Sequence, residues 1–325
     1  MIRYIIKRVL TMIPIVIGVV FITFTLSRIS PGDPVVALLG TSYTQEQYDA
    51  TEHQLGLDQP FAVQLVNYYK GIITKFDLGT SYSSKRAVTD EIIYRFPTTI
   101  KLGLLGIAVT VLLGVPIGIL SAIKQYSALD YGVTIGAMIF ASMPNFWFAL
   151  MLMLLFSLKL AWLPASGLQS WQSWILPALS LGLSPIAMIT RMTRSNMLEV
   201  IRQDYITTAR AKGLPERTVI YKHALRNALI PIVTLVGMQL GTIVGGAAII
   251  ESIFSIPGMG TLMLTAINGA DYPVVQGCVL VLSMSICIMT IVVDVLYGFI
   301  DPRIKSIYSS TRKKKAKPAA AAAEA

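Results

Sequence analysis

Six long apolar runs divide the chain: Val9 to Ile29, Thr99 to Ala122, Gly132 to Leu158, Ile175 to Ile189, Leu229 to Ile250 and Gly277 to Phe299. A helix needs about 20 mainly apolar residues to cross a bilayer. The fourth run is short, but it extends through Trp174 at one end and Thr193 at the other, with Trp171 and Arg191 beside it. Backbone polar groups in hydrocarbon must pair within a helix or a closed barrel, and nothing in these runs alternates as barrel strands would. The pattern predicts an all-α polytopic membrane protein with six transmembrane helices.

Between the runs lie polar segments of different character. Residues 1–29 read as an N-terminal segment and first helix. Arg3, Lys7 and Arg8 precede an apolar run too long for a signal peptide, and LSRISPGDP lacks an A-x-A-like cleavage site, so the run reads as an uncleaved anchor. Residues 30–95 form an external insert that opens on the turn signal PGDP, Pro31 to Pro34. Within it, Gln45 to Leu55 predicts a polar helix. Pro60 to Lys75 predicts an amphipathic one, with Phe61, Leu65, Tyr68, Tyr69 and Ile72 at helical spacing. DLGTSY, Asp77 to Tyr82, ends it. The insert is too small and polar for a core of its own and is expected to pack on the outer mouth of the bundle. Residues 96–300 hold the remaining five helices, and 301–325 form a basic tail with no core-forming residues, expected to be disordered.

Charge sets the expected orientation. Lys and Arg total 27, and 19 of them fall on one side if the N-terminus is cytoplasmic; the short loops of the other side hold only Lys159. Both termini are therefore expected inside. The net charge of +10 reads as topology and contact with a lipid bilayer, without the interleaved aromatic and basic face that nucleic acid needs. Only 14% of residues are charged, against about 25% in a soluble domain. Cys278 and Cys287 share one helix about 180° apart, so they read as small apolar fillers rather than a disulfide.

Catalytic chemistry is hard to find. There is no phosphate loop and no G-x-S-x-G elbow, and neither His53 nor His223 has a partner at metal-ligand spacing, so no catalytic or metal site is expected. Charges at membrane depth are nearly absent. Asp294, near the inner end of the last run, is read either as one half of a structural ion pair with a loop arginine (Arg191, Arg194 or Arg226, with Arg226 preferred) or as a mechanistic group. Glu251 stands at the outer end of the fifth run. Gly237, Gly241 and Gly245 form GxxxGxxxG, and Gly114 and Gly118 lie in GVPIG; this spacing permits close helix packing, and a sliding contact would use the same residues. Asn145 and Gln239 are polar at membrane depth, which hints at a pathway, although such a residue more often makes a kink or an interhelical hydrogen bond than a ligand contact.

The most polar inner segment is the most distinctive. Glu199 to Lys212 predicts one helix with Arg202, Asp204, Tyr205, Thr208, Ala209, Arg210 and Lys212 upon it. Gly213 follows as a left-handed C′ residue, and Pro215 suits the first turn of a second helix. Two helices joined at a glycine make a rigid elbow able to transmit force, with Ala209 expected on the face that docks a soluble motor.

TARAKG, Thr208 to Gly213, resembles the EAA loop of ABC importer permeases in its A-x-x-x-G core. Thr207 and Thr208 stand where that pattern has Glu and Ala, and His223 and Arg226 replace a later Ile and Pro, departures that are similar to those of the dipeptide/oligopeptide/nickel branch. LGLDQP (55–60), DLGTSY, HALRNALIP (223–231), FSIPGMG (254–260) and DPR (301–303) resemble the same branch. The resemblance implies the type I ABC importer transmembrane fold. It implies the first of two paired permeases, with a second homologous permease, two cytoplasmic ATPases bound at the 199–215 loop, and an external substrate-binding protein that delivers peptide. ATP and Mg would be bound by the ATPases and no cofactor by this chain. Nickel or another small solute fits the same motifs. A self-contained secondary transporter, which should show an inverted repeat and midplane ions, is a distant alternative.

Overall fold

The computed structural model describes residues 2–30 and 32–300, apart from the side chains of 2–5, 7, 240, 242–246, 294 and 296–300. The tail from Asp301, with DPR, Arg312, Lys313, Lys314, Lys315 and Lys317, and Pro31 of PGDP lie outside the described residues. Among the described residues the regular elements are all helical, joined by loops, with a single isolated antiparallel bridge between Thr80 and Ala87.

Helix α1 (Ile2–Ile29) leads into the insert, which carries α2 (Pro34–Leu39), α3 (Gln45–Leu55) and α4 (Phe61–Lys75). Each start has a local cause. Asp33 accepts from the Val35 and Val36 amides at the head of α2, and Thr44 and Gln47 form a reciprocal capping box on α3. Gly56, at φ 67°, closes α3 in the left-handed conformation. The predicted face of α4 is its half-buried one: Tyr68, Tyr69 and Ile72 pack with Val20 of α1 and Leu78, while Val66 and Ile73 point outward. Tyr69 also donates to the Ile17 carbonyl at 2.7 Å.

Helix α5 (Val88–Ile123) starts earlier than the apolar run at Thr99. Pro97 was the natural place for a boundary, yet it sits inside the helix, as does Pro116. Next come α6 (Ala128–Ser142) and α7 (Asn145–Leu152), the latter prolonged by a π-helical stretch, Met153–Lys159. The run from Gly132 to Leu158, expected as one helix, is therefore two pieces bent by 104°. Pro144 disfavours the helical conformation at the residue before it, and Met143 is extended at φ −89°, ψ 132°. A short 3₁₀ turn, Trp171–Trp174, opens α8 (Ile175–Ile201). Then follow α9 (Asp204–Ala211), α10 (Glu216–Thr218) with a π-helical continuation Val219–Ala224, α11 (Leu225–Ile253), α12 (Met259–Asn268) and α13 (Tyr272–Ile300). Among the described residues, five continuous helices are long and apolar enough to cross a membrane, and the bent pair makes a sixth span.

Packing concentrates on α5 against α8. A Cβ on Gly118 would lie 2.6 Å from the Thr190 carbonyl, and one on Gly182 2.6 Å from the Gly106 carbonyl, so both contacts require glycine. Thr110 and Thr190 then reach across to the Gly182 and Gly114 carbonyls at 2.9 and 3.2 Å. Gly237 faces α13, where a Cβ would fall 2.1 Å from Val293, and Gly241 faces Ile286 of the same helix. The side chain position of Gly245 is outside the described residues. Cys278 lies in the core beside Val88 and Leu280, and both cysteines are free.

Two carboxylates hold together the end of the bundle that meets the insert. Glu251, fully buried, accepts from Thr99 Oγ1 at 2.6 Å and from the Gly260 and Thr261 amides at 2.7 and 3.2 Å. It thus caps α12 and ties it to α5. Asp271 accepts from Ser81 Oγ at 2.6 Å and from the Tyr82 and Ser83 amides at 3.0 and 3.2 Å. Three donors from the DLGTSY loop and the residue after it therefore converge on the turn between α12 and α13, which docks the insert on the bundle. Asp271→Ala leaves those donors without their acceptor. It is expected to raise the rate of limited proteolysis between residues 78 and 86 while the transmembrane core stays protected.

Candidate coupling loop

The loop begins where α8 ends. Gln203 is extended at φ −74°, ψ 149°, so the helix expected from Glu199 to Lys212 is broken after Ile201 and resumes as α9. The break has a packing reason. It turns α9 so that Ile206, fully buried, and Ala209, 7% exposed, enter a core made by Ile119, Ala122, Met197, Val219, Ile220 and Ala224. Ala209 therefore does not lie on an outward docking face; it is the small residue that lets α9 approach α5 and the start of α11. Only a methyl-sized side chain suits a position packed from this many sides.

The outward face is different. Arg202, Asp204, Tyr205, Thr208, Arg210, Lys212, Gly213 and Leu214 are exposed, with Tyr205 at 43% and Tyr221 nearby at 51%. Gly213 has φ +74°, and no atom lies within 4 Å of where its Cβ would be. Its requirement is thus conformational rather than steric. The turn around it is braced. The Gly213 amide donates to the Arg210 carbonyl at 2.9 Å, and the Arg210 guanidinium spans the bend to Glu216, Nε to Oε2 at 3.1 Å and Nη2 to Oε1 at 2.7 Å. Pro215, extended, caps α10. Asn227 on α11 donates to the Tyr205 hydroxyl at 2.7 Å, and Arg202 reaches Gln125 in the turn between α5 and α6 at 3.4 Å. An exposed strip of aromatic, basic and hydroxyl groups is thus mounted on a stiff elbow.

One ion pair anchors the base of that elbow, and no motif in the sequence announced it. Asp130, near the start of α6, accepts from Arg194 of α8 in a bidentate pair, Nε to Oδ1 at 2.6 Å and Nη2 to Oδ2 at 2.7 Å. The Ser121 hydroxyl and the Tyr126 amide, at 3.0 Å, supply further donors. The Asp130 side chain is 3% exposed and that of Arg194 28%. This corrects one of the partners considered for Asp294, because Arg194 is committed to Asp130. The Asp294 side chain lies outside the described residues, and Arg226 is exposed on α11. Asn145 is exposed at the first position of α7, and Gln239 is half-buried on α11 with Nε2 3.8 Å from Met188 Sδ. Among the described residues no three His, Cys, Asp or Glu side chains form a group that could hold a metal.

Apolar spanning helices joined by a polar, braced elbow define a multi-pass membrane protein. Structural comparison gives the fold. A membrane chain of the MetNI methionine ABC transporter in an inward-facing conformation is similar with a TM-score of 0.56 at 18% identity, over 65% of this chain and 96% of that one. Residues 114–306 match the family described as "binding-protein-dependent transport system inner membrane component", and residues 1–103 match its N-terminal component. The chain belongs to this family and is a transport subunit, not an enzyme. It is 41% identical over 94% of its length to the whole of the dipeptide transport system permease protein DppB of Alkalihalophilus pseudofirmus. It is 36% identical, over the same share, to the oligopeptide transport system permease protein AppB of Bacillus subtilis. The glutathione transport system permease protein GsiC of Salmonella choleraesuis is 40% identical over 94% of this chain and 99% of its own.

Proposed function

We propose that this chain is one of two paired permease subunits of an ATP-driven importer of di- and oligopeptides. An external binding protein delivers the peptide. Two cytoplasmic ATPases, which bind the ATP and Mg, dock on the exposed face of residues 202–217. The chain sits in the inner membrane with both termini in the cytoplasm and the insert outside. The observation that carries the peptide reading is the end-to-end similarity to relatives named for peptides, at 36–41% identity. The docking reading is supported by the braced elbow, on which Thr208, Arg210, Lys212 and Gly213 of the segment that resembles the EAA loop are exposed while its Ala209 is buried.

The test is reconstitution. Proteoliposomes holding this subunit, its second permease and both ATPases, supplied with binding protein, should accumulate labelled tripeptide on adding ATP, and the purified subunit alone should not hydrolyse ATP. Uptake of Ni²⁺ in place of peptide would replace the substrate, and ATP hydrolysis by the isolated subunit would remove the reading.

A further inference from the structure

Helix α4 of the insert rests on a membrane-spanning helix, and its contacts fix its depth. The apolar span of α1 runs from Arg8 to Ile29. Ile17 stands near the middle, roughly 14 Å from one end and 18 Å from the other at about 1.5 Å per residue. The Tyr69 hydroxyl donates to the Ile17 carbonyl at 2.7 Å. The Phe24 ring, nearer the end of the span, meets Phe61 at 5.4 Å and Tyr68 at 5.9 Å between centroids. At the other end of α4, the Phe76 carbonyl accepts from Thr89 Oγ1 at 3.5 Å, in the first turn of α5. Both ends of α4 thus stay near the ends of the long helices, while Tyr69 at its middle reaches down into the span. A helix held this way lies across the bundle at the border of the bilayer rather than above it.

Tyr69 also tells which side of α4 faces the bilayer. Ala62, Val66, Tyr69, Ile73 and Phe76 follow at alternating intervals of four and three residues, so they form one stripe. Val66 is 62% exposed, Ile73 79% and Phe76 60%. The opposite flank is polar: Gln64 and Asn67 line the open cleft between the insert and the ends of α1 and α13, and Thr74 is exposed on the same flank. An exposed apolar stripe that points the same way as a hydroxyl seated at mid-span is directed at lipid. Ile17, Phe21 and Ile22 of α1 are themselves about half exposed, so the stripe continues an apolar surface that already belongs to a span.

We propose that α4 is an interfacial helix, seated in the leaflet on the insert's side with Val66, Ile73 and Phe76 against lipid acyl chains and Gln64, Asn67 and Thr74 towards water. Amphipathic helices bind bilayers in this way, with the apolar face sunk about 5–10 Å into the boundary between headgroups and chains. Lys70, exposed beside the stripe, carries its ammonium back to the headgroups on a long apolar stem. The insert is then held at two places, by Asp271 on the bundle and by lipid under α4.

The experiment uses the full chain in the complex it forms in its own membrane, carried with native lipid into nanodiscs. Val66→Cys, Asn67→Cys, Ile73→Cys and Thr74→Cys are made one at a time in a Cys287→Ala background, Cys278 being buried from the reagent, and are nitroxide-labelled. Relaxation by oxygen, which concentrates in hydrocarbon, is compared with relaxation by a water-soluble nickel chelate. Oxygen is expected to dominate at 66 and 73, and the chelate at 67 and 74. Val66→Asp, at an exposed position that fills no core, should raise chelate relaxation at 73 severalfold, because a charge draws the stripe out of lipid; Val66→Leu should leave it unchanged. Chelate dominance at 66 and 73 makes α4 a water-facing helix and overturns the proposal. Protection of both labels from oxygen and chelate alike places a protein partner on the stripe and also overturns it. So does a Val66→Asp variant whose label at 73 keeps its oxygen-dominated signature.

Discussion

Arg194→Ala is expected to destabilise the subunit by about 3 kcal/mol, the low end of the range for removing one partner of a buried ion pair. The cause is the carboxylate left behind. Asp130 keeps the Ser121 and Tyr126 donors, but its charge remains 3% exposed with no counter-charge. The low end applies because Arg194 itself retains 28% of its side-chain exposure, so water can partly fill its place. The thermal unfolding midpoint of the purified subunit should fall, and so should ATP-driven uptake. Asp130→Asn in the same background removes the stranded charge and should recover most of the midpoint. If the double variant unfolds at the same temperature as Arg194→Ala, the loss came from packing along the arginine stem and not from the pair.

Ala209→Trp is expected to reduce uptake by well over tenfold, and through a route that separates the two faces of α9. The indole has to enter a core that Ile119, Ala122 and Val219 already fill, and overpacking of this kind typically costs 1–3 kcal/mol. A shift of about 1.4 kcal/mol is already tenfold in an equilibrium. The permease itself should be destabilised, with α9 displaced from its seat. Thr208→Trp, on the adjacent exposed position, should leave the unfolding midpoint unchanged and act only on ATPase binding. Gly213→Val falls between them, because space is open but the left-handed backbone costs roughly 1–2 kcal/mol for a branched residue. Equal midpoints for Ala209→Trp and Thr208→Trp would put Ala209 back on the docking face.

Most of the spanning helices were legible because bilayer length and apolarity leave few alternatives. The extent of α3, the half-buried face of α4 and the left-handed Gly213 followed from local rules that hold whatever packs nearby. The misses are all tertiary. Ala209 sits on the inward face because extended Gln203 rotates α9, and a single residue's departure from helix leaves no mark on the periodicity. Pro97 and Pro144 are the same residue in similar apolar settings, yet one is absorbed into a helix and the other breaks one. Asp130 and Arg194 are 64 residues apart, and Asp271 and Ser81 are 190 apart. Nothing in the local sequence marks Asp130 or Asp271 for these partners. Only the fold brings them together.

The 104° break between α6 and α7 bears on how the subunit matures. The last turn of α6 presents carbonyls with no following helix to receive them, and hydrocarbon offers no donors in exchange. Phe140, Phe146 and Trp147 around that corner are nevertheless exposed, so the surface there is greasy in its side chains and polar in its backbone. Lipid satisfies the first and not the second. On the paired-permease proposal, this corner is completed only when another protein surface or a water-filled space meets it, which would make pairing a step in completing the fold. Quality control in the membrane would then have, at this corner, a local feature by which an orphan subunit differs from an assembled one.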